Sequence, residues 1–161
     1  MKKLIIIISL IPILAWPQIK IRPIGLVEAV QLMGPKFTPE LFVTMVKALC
    51  KNADYVIAQA CHETGWFKSY NCQTRNNYFG MKLTSNRIAI KADSATGYSI
   101  YKTWFDSVKD YALWQNRYYT GQNYSQFLGK DRVYAEDVDY LAKVKVLMAS
   151  DKFKKLYYGN K

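Results

Sequence analysis

The chain has 161 residues, half of them hydrophobic, with 23 lysines and arginines against 12 acidic residues and a net charge of +11. That length allows one domain with a real core and is too short for two. The charge favours an anionic partner (nucleic acid, acidic lipid or a wall polymer) over a cationic one, and three cysteines with a single histidine make no zinc set of familiar spacing.

Met1-Lys2-Lys3 precedes an apolar run from Leu4 to Ala15, too short to span a bilayer comfortably. It predicts an export signal over residues 1–18, with cleavage between Ala15 and Gln18. Trp16-Pro17 makes a poor small-residue site, so an uncleaved anchor is the alternative. Removal of the signal takes Lys2 and Lys3 with it and leaves +9. The expected location is periplasmic or secreted, which argues against nucleic acid as the partner. Residues 19–36 form a lead-in broken by Pro23, Gly25, Gly34 and Pro35, with room for one short helix. The domain proper is 37–161.

Thr38-Pro39-Glu40 supplies an N-cap, a first-turn proline and an acidic first turn. Phe42, Met45, Val46 and Leu49 follow at helical spacing, which predicts a helix over 39–51. Asn52 can cap a second helix lined by Val56, Ile57 and Ala60, which ends at Gly65 and carries Glu63 in its last turn. Unpaired carbonyls give a helix C-terminus partial negative charge, so a carboxylate there is disfavoured as an anion. Bulky Trp66 and Phe67 add desolvation in the same direction. A carboxyl kept neutral near pH 7 is what a general acid requires. Cys61-His62 invites comparison with a Cys–His nucleophile, but adjacent helical residues point about 100° apart. His62 therefore reads as a structural or cleft-edge residue. Cys50, Cys61 and Cys72 fit either one disulfide and a free thiol or three buried thiols.

Residues 67–77 are polar and read as an ordered loop, and 78–82 as a short strand. The alternating runs 87–91 and 98–101, separated by Asp93-Ser94-Ala95-Thr96-Gly97, predict a β-hairpin. A helix capped by Asp106 or Ser107 carries Val108, Tyr111, Ala112, Leu113 and Trp114 and ends by Gly121. One turn over 125–129, a helix from Glu136-Asp137 through Met148, and an amphipathic piece over 152–158 complete the chain. The fold class is α+β, mainly α-helical, with the hairpin inserted after the Glu63 helix. The 24 aromatic residues, many after position 97, suit a glycan cleft, since their faces stack on sugars and phenols hydrogen-bond to them. Several, Tyr111 and Trp114 among them, read as core.

Four blocks carry a family resemblance: 57–66 (Ile-Ala-Gln-Ala-Cys-His-Glu-Thr-Gly-Trp), 76–82 (Asn-Asn-Tyr-Phe-Gly-Met-Lys), 101–112 (Tyr-Lys-Thr-Trp-Phe-Asp-Ser-Val-Lys-Asp-Tyr-Ala) and 134–140 (Tyr-Ala-Glu-Asp-Val-Asp-Tyr). In this order they resemble the flagellar-type endo-β-N-acetylglucosaminidases, glycoside hydrolase family 73. The resemblance implies a lysozyme-like fold, a secreted, autolysin-like peptidoglycan hydrolase acting as a monomer, and cleavage of the β-1,4 bond after N-acetylglucosamine. It implies Glu63 as general acid. It also implies Asn76 and Asn77 as residues that orient sugars or brace the cleft, and Tyr134 as the phenol that holds the acetamido group or steadies oxocarbenium-like charge. Tyr140 matches a second family tyrosine, and Trp66 and Tyr101 join the expected substrate-binding set. The partner is the peptidoglycan glycan strand, with anionic wall polymers held by the basic surface.

The chain departs from the family pattern at His62, where an apolar residue is common, and at Glu136-Asp137-Val138, where Thr-Asp-Pro is familiar. Between Glu63 and Trp104 the only acidic side chain is Asp93. Asp93 is the candidate second carboxylate that activates water, although a turn aspartate also has a local job. Without it, attack by the substrate's own 2-acetamido oxygen is the better route, requiring neither metal nor cofactor. A muramidase or lytic transglycosylase on the same scaffold, or a non-catalytic peptidoglycan-binding protein, are the alternatives.

Overall fold

The computed structural model describes residues 25–82, 88–131 and 137–159. The export signal, the first part of the lead-in, and Arg87, Tyr134 and Glu136 lie outside them. Helix α1 (Leu26–Met33) is the expected lead-in helix. It stops at Gly34, whose left-handed backbone returns its N–H to the carbonyl of Val30. In α2 (Pro39–Leu49) the hydroxyl of Thr38 accepts from the amide of Leu41, and Phe42, Val43, Met45 and Val46 are buried.

Helix α3 (Ala53–Glu63) is the central element, buried on every side from Val56 to Cys61 and packed against α2, α7 and α8. The side-chain cap expected of Asn52 is not made. Asn52 instead turns the chain in the left-handed region, which asparagine tolerates better than most residues. After Glu63 three consecutive residues, Gly65, Trp66 and Phe67, have φ near +60°. For the last two this costs on the order of 1–2 kcal/mol each. Local bonds hold the corner. The Thr64 hydroxyl donates to the Ala60 carbonyl at 2.6 Å and accepts from the Phe67 amide at 2.8 Å. The Phe67 ring packs 5.2 Å from Phe42 and 5.3 Å from Phe37.

Two elements differ from expectation here. Part of the predicted loop is helix α4 (Tyr70–Arg75), capped by Ser69. It has six residues and buries only Cys72, so no apolar period announced it. The predicted strand at 78–82 reduces to one bridge, Lys82 to Tyr98. The hairpin is present but short: β1 (Lys91–Ala92) pairs antiparallel with β2 (Ser99–Ile100), Lys91 facing Ile100 and Ala92 facing Ser99.

Helix α5 (Trp104–Tyr118) begins earlier than predicted, at Thr103. There Thr103 and Asp106 form a reciprocal capping box, so Asp106 serves from inside the first turn. A short helix α6 (Tyr124–Gln126) runs into a π-helical turn (Phe127–Asp131). Then α7 (Tyr140–Ala149) and α8 (Asp151–Tyr158) meet at Ser150, which ends one and caps the other. The result is the expected mainly helical α+β architecture, with the hairpin following the α3 corner. All three cysteines are buried free thiols. Burial pushes Cys50 and Cys61 up to about 12. No described helix is long and apolar enough to cross a membrane.

Candidate active site

Glu63 is the last residue of α3 and half-buried. Gly80 lies over its carboxyl: a Cβ built there would sit 3.2 Å from Glu63 Oε2. Gly80 also has φ +61°, so this turn requires glycine twice over, for conformation and for space. The ring of Tyr98, next to the hairpin strand β2, reaches within 4.0 Å of the same point. From the other side α7 presents Tyr140, whose hydroxyl lies close enough to the Glu63 carboxyl to lower its pKa as a hydrogen-bonding neighbour. His62, read from the sequence as a structural or cleft-edge residue, packs edge-on against the Tyr140 ring, centroids 5.3 Å apart.

Burial raises the pKa of Glu63 above the ordinary glutamate value, and the Tyr140 hydrogen bond and the His62 charge pull it back down. The first effect is the largest. The carboxyl thus leans towards its protonated form, while a donor stands ready to receive it as an anion.

The other sequence candidates fall into different places. Asp93 sits in the hairpin turn with both oxygens engaged. Oδ2 meets the Arg75 guanidinium at 2.9 Å, and Oδ1 accepts from the Thr96 hydroxyl at 2.8 Å and from two backbone amides. These bonds hold its pKa down at about 2. Asn77 is 1% exposed. Its amide nitrogen donates to the carbonyls of Met81 and Ser99, and its oxygen accepts from the Met81 amide. It therefore ties the Gly80 turn to the hairpin. Asn76 ends α4 in the left-handed region and donates to the carbonyls of Tyr101 and Lys102. Tyr101 is 2% exposed, its hydroxyl donating to Asp110 at 2.6 Å. These side chains brace the hairpin against α4 and α5. Tyr140 is 5% exposed, with its hydroxyl beside Glu63 and its ring against His62. Tyr134 lies outside the described residues.

Trp66 is half-buried, with the Lys152 ammonium 3.8 Å from its ring centre. With Phe67, Lys68, Lys155 and Leu156 it lines an open cavity of about 540 Å³ beside the α3 corner. A second cavity, about 330 Å³, lies between α1 and the start of α5. No cluster of three or more metal-type ligands occurs among the described residues.

Sequence reasoning missed Gln59. It is wholly buried, one turn before Glu63 on the same face, and its amide nitrogen approaches the Tyr140 hydroxyl at 3.4 Å. A polar residue amid Val56, Ile57, Ala58 and Ala60 was the available signal, since a buried amide demands partners.

The glucosaminidase family model, described as mannosyl-glycoprotein endo-beta-N-acetylglucosaminidase, matches residues 40–153. Among solved structures, the chain is similar to the catalytic domain of the autolysin Auto from Listeria monocytogenes. The two share 22% identity over 80% of this chain and 94% of that one, with a TM-score of 0.50. That likeness is one of fold. No relative is found among the curated proteins.

Proposed function

The chain belongs to the glucosaminidase family and is a glycoside hydrolase, and from this premise we propose that it is an exported peptidoglycan hydrolase with Glu63 as its general acid. The bond cut is the β-1,4 linkage after N-acetylglucosamine. The observation that carries the reading is the Glu63 carboxyl itself: it ends α3 beneath Gly80, with burial favouring its proton.

The chemistry follows from what surrounds it. Glu63 gives its proton to the departing glycosidic oxygen while the bond to the anomeric carbon breaks. The carbonyl oxygen of the substrate's own 2-acetamido group attacks that carbon and closes a cyclic intermediate, as substrate-assisted glycosidases do. Water then opens the ring and returns a proton to the Glu63 carboxylate. Between these steps the anion accepts the Tyr140 hydroxyl as donor. The route needs no second carboxylate, which accords with an Asp93 whose oxygens are committed to Arg75 and Thr96. Tyr134 is the proposed holder of the acetamido group. The Trp66 corner is a proposed sugar or peptide contact, and Asn76 and Asn77 brace the cleft. The basic surface, +9 once the signal is removed, would hold the enzyme on anionic wall polymers.

The test is Glu63→Gln. The substitution should abolish release of N-acetylglucosamine reducing ends from purified peptidoglycan, read by mass spectrometry, while wall binding persists. Muramic or anhydro-muramic ends from the wild type would assign the other glycosidic bond. A fully active Glu63→Gln would remove Glu63 from the chemistry.

A further inference from the structure

Behind Glu63 the core holds a continuous line of polar side chains that packing alone does not require. At its far end, the corner between α2 and α3, Gln115 of α5 grips the peptide of Lys51 with both amide atoms. The Lys51 N–H donates to Gln115 Oε1 at 2.6 Å, and Gln115 Nε2 donates to the Lys51 carbonyl at 2.7 Å. This double grip fixes which way the amide faces. The same Nε2 donates to the Tyr124 hydroxyl at 2.9 Å. Tyr124 and Tyr111 share a hydrogen bond of 2.9 Å, and the Tyr111 hydroxyl donates to Gln59 Oε1 at 2.8 Å. Gln59 Nε2 then donates at 3.4 Å to the Tyr140 hydroxyl, which stands beside the Glu63 carboxyl.

The protons in this line can be placed by counting. Tyr111 has one hydroxyl proton and gives it to a carbonyl oxygen that cannot donate in return. Tyr124 must therefore donate to Tyr111, which leaves its lone pairs for Gln115. Every donor then points towards Glu63, from an anchor on the Lys51 peptide to the carboxyl. Two helical pairs, Tyr111–Gln115 and Gln59–Glu63, carry the line along α5 and α3, because residues four apart share a face. The line is enclosed: Gln59, Tyr111 and Gln115 are fully buried, and Tyr124 is 4% exposed.

We propose that Gln115, Tyr124, Tyr111 and Gln59 are positioning residues that orient the Tyr140 hydroxyl as a donor to Glu63, and so set the acid from the opposite side of the core. Aligned hydrogen bonds in a low-dielectric interior polarise one another, so each donor strengthens the next. The effect is to stabilise the carboxylate left once the proton is delivered, and so to lower the pKa of the acid. The inference rests on Glu63 being the acid. The other groups near Glu63 among the described residues are His62 beside it, which also acts on Asp137, and Tyr98 across Gly80; the Lys152 charge of α8 acts on Cys61 and lies over Trp66. None of them contacts Tyr111, Tyr124 or Gln115 in a described hydrogen bond.

The test is a titration of Glu63 itself in the full-length protein. The chain has four glutamates, so ¹³C labelling of glutamate side-chain carboxyls gives a readable NMR spectrum, with the Glu63 signal assigned by its loss in Glu63→Gln. Tyr140→Phe removes the direct donor and should raise the Glu63 midpoint by about one pH unit. Tyr124→Phe and Tyr111→Phe leave that donor in place. Each should raise the midpoint by about 0.1–0.3 unit, the cooperative share of one bond. The alkaline limb of the activity profile should move the same way. Site-specific 3-fluorotyrosine at position 124 keeps the hydroxyl and the fold while making it a stronger donor, and should lower the midpoint. A role in packing alone would change the melting temperature in these variants and leave the midpoint fixed. A midpoint unmoved by both Tyr124→Phe and the fluorinated residue overturns the proposal, as does an upward shift with fluorine. Should Tyr124→Phe fail to fold, the fluorinated variant decides alone. If Glu63→Gln stays active, the reading of Glu63 as acid fails, while the titration still judges the line of donors.

Discussion

Gly80→Ala adds a single methyl group and tests whether the turn above the carboxyl sets the acid's position. The new Cβ would stand 3.2 Å from Glu63 Oε2 and 3.8 Å from its carboxyl carbon, on a backbone with φ +61°. Left-handed strain on alanine costs about 1–2 kcal/mol, which lowers the melting temperature of a domain this size by roughly 2–8 °C. Relieving the contact then requires the carboxyl or the turn to give by a few tenths of an ångström. Misplacement of about 1 Å costs roughly 100-fold in rate, so this shift should lower kcat about 3- to 10-fold. Gly34→Ala is the control, since Gly34 has φ +54° with nothing within 4 Å and ends the remote helix α1. Both variants should lose comparable stability in thermal melts. Only Gly80→Ala should lose turnover, measured as reducing ends released from peptidoglycan. Equal activity in the two folded variants would refute the reasoning.

Asp93→Asn should leave most of the turnover intact, because the carboxylate is committed to its own turn; a loss of a thousandfold or more would make it a catalytic partner instead. The same variant should flatten the acid limb of stability. A group whose pKa falls from 3.8 unfolded to about 2 folded contributes stability above pH 4 that disappears as pH drops towards 2, readable in urea melts across that range. The buried thiols, with Cys50 and Cys61 raised to about 12, should resist iodoacetamide in the native protein at pH 8. All three should alkylate once it is unfolded, as counted by intact mass; modification of the native protein would contradict their burial. Retention of the Glu63→Gln variant on purified wall should weaken as salt rises from 50 to 500 mM, nominal conditions spanning roughly the Debye lengths at which surface charge is screened, and salt-insensitive retention would rule out the basic surface as the anchor.

Where side chains repeat at a helical period, the elements were legible in advance. Phe42, Met45 and Val46 announced α2, and the Gly65 stop announced the end of α3 within two residues. The upward push on the Glu63 pKa was legible for the same reason, since position in the last turn and neighbouring bulk both act through local sequence. Helix α4 was not, because its six residues are held by the Ser69 cap and not by an apolar face. The strand expected at 78–82 is cut short at the Gly80 turn, where Asn77 takes the Met81 N–H and only the Met81 carbonyl still reaches the hairpin, at Ser99. Nothing local could show that Tyr101 and Asn77 turn inward, or that Arg75 reaches Asp93 across 18 residues. The line from Gln115 to Glu63 joins residues up to 81 positions apart in a single hydrogen bond, and only the fold brings them together.

Glu63 also makes a prediction about the balance between activity and stability. Its folded pKa is raised from 4.5 chiefly by burial, so the folded protein binds this proton more tightly than the unfolded chain does. The sign follows by linkage. The protonated side chain costs the fold nothing at pH 4, but above pH 4.5 the unfolded chain ionises more readily, and stability falls until pH passes the folded pKa. Glu63 therefore weighs on the native state at neutral pH, because the unfolded chain gains more from ionising it than the fold does. Glutamine keeps the shape and a carbonyl that can accept the Tyr140 hydroxyl, yet it never ionises. Glu63→Gln should consequently melt higher than the wild type at pH 7 and at nearly the same temperature at pH 4, while losing its activity at both. A variant equally or less stable at pH 7 would mean that Tyr140 and His62 already outweigh burial, and that the carboxyl rests as an anion with no proton to give.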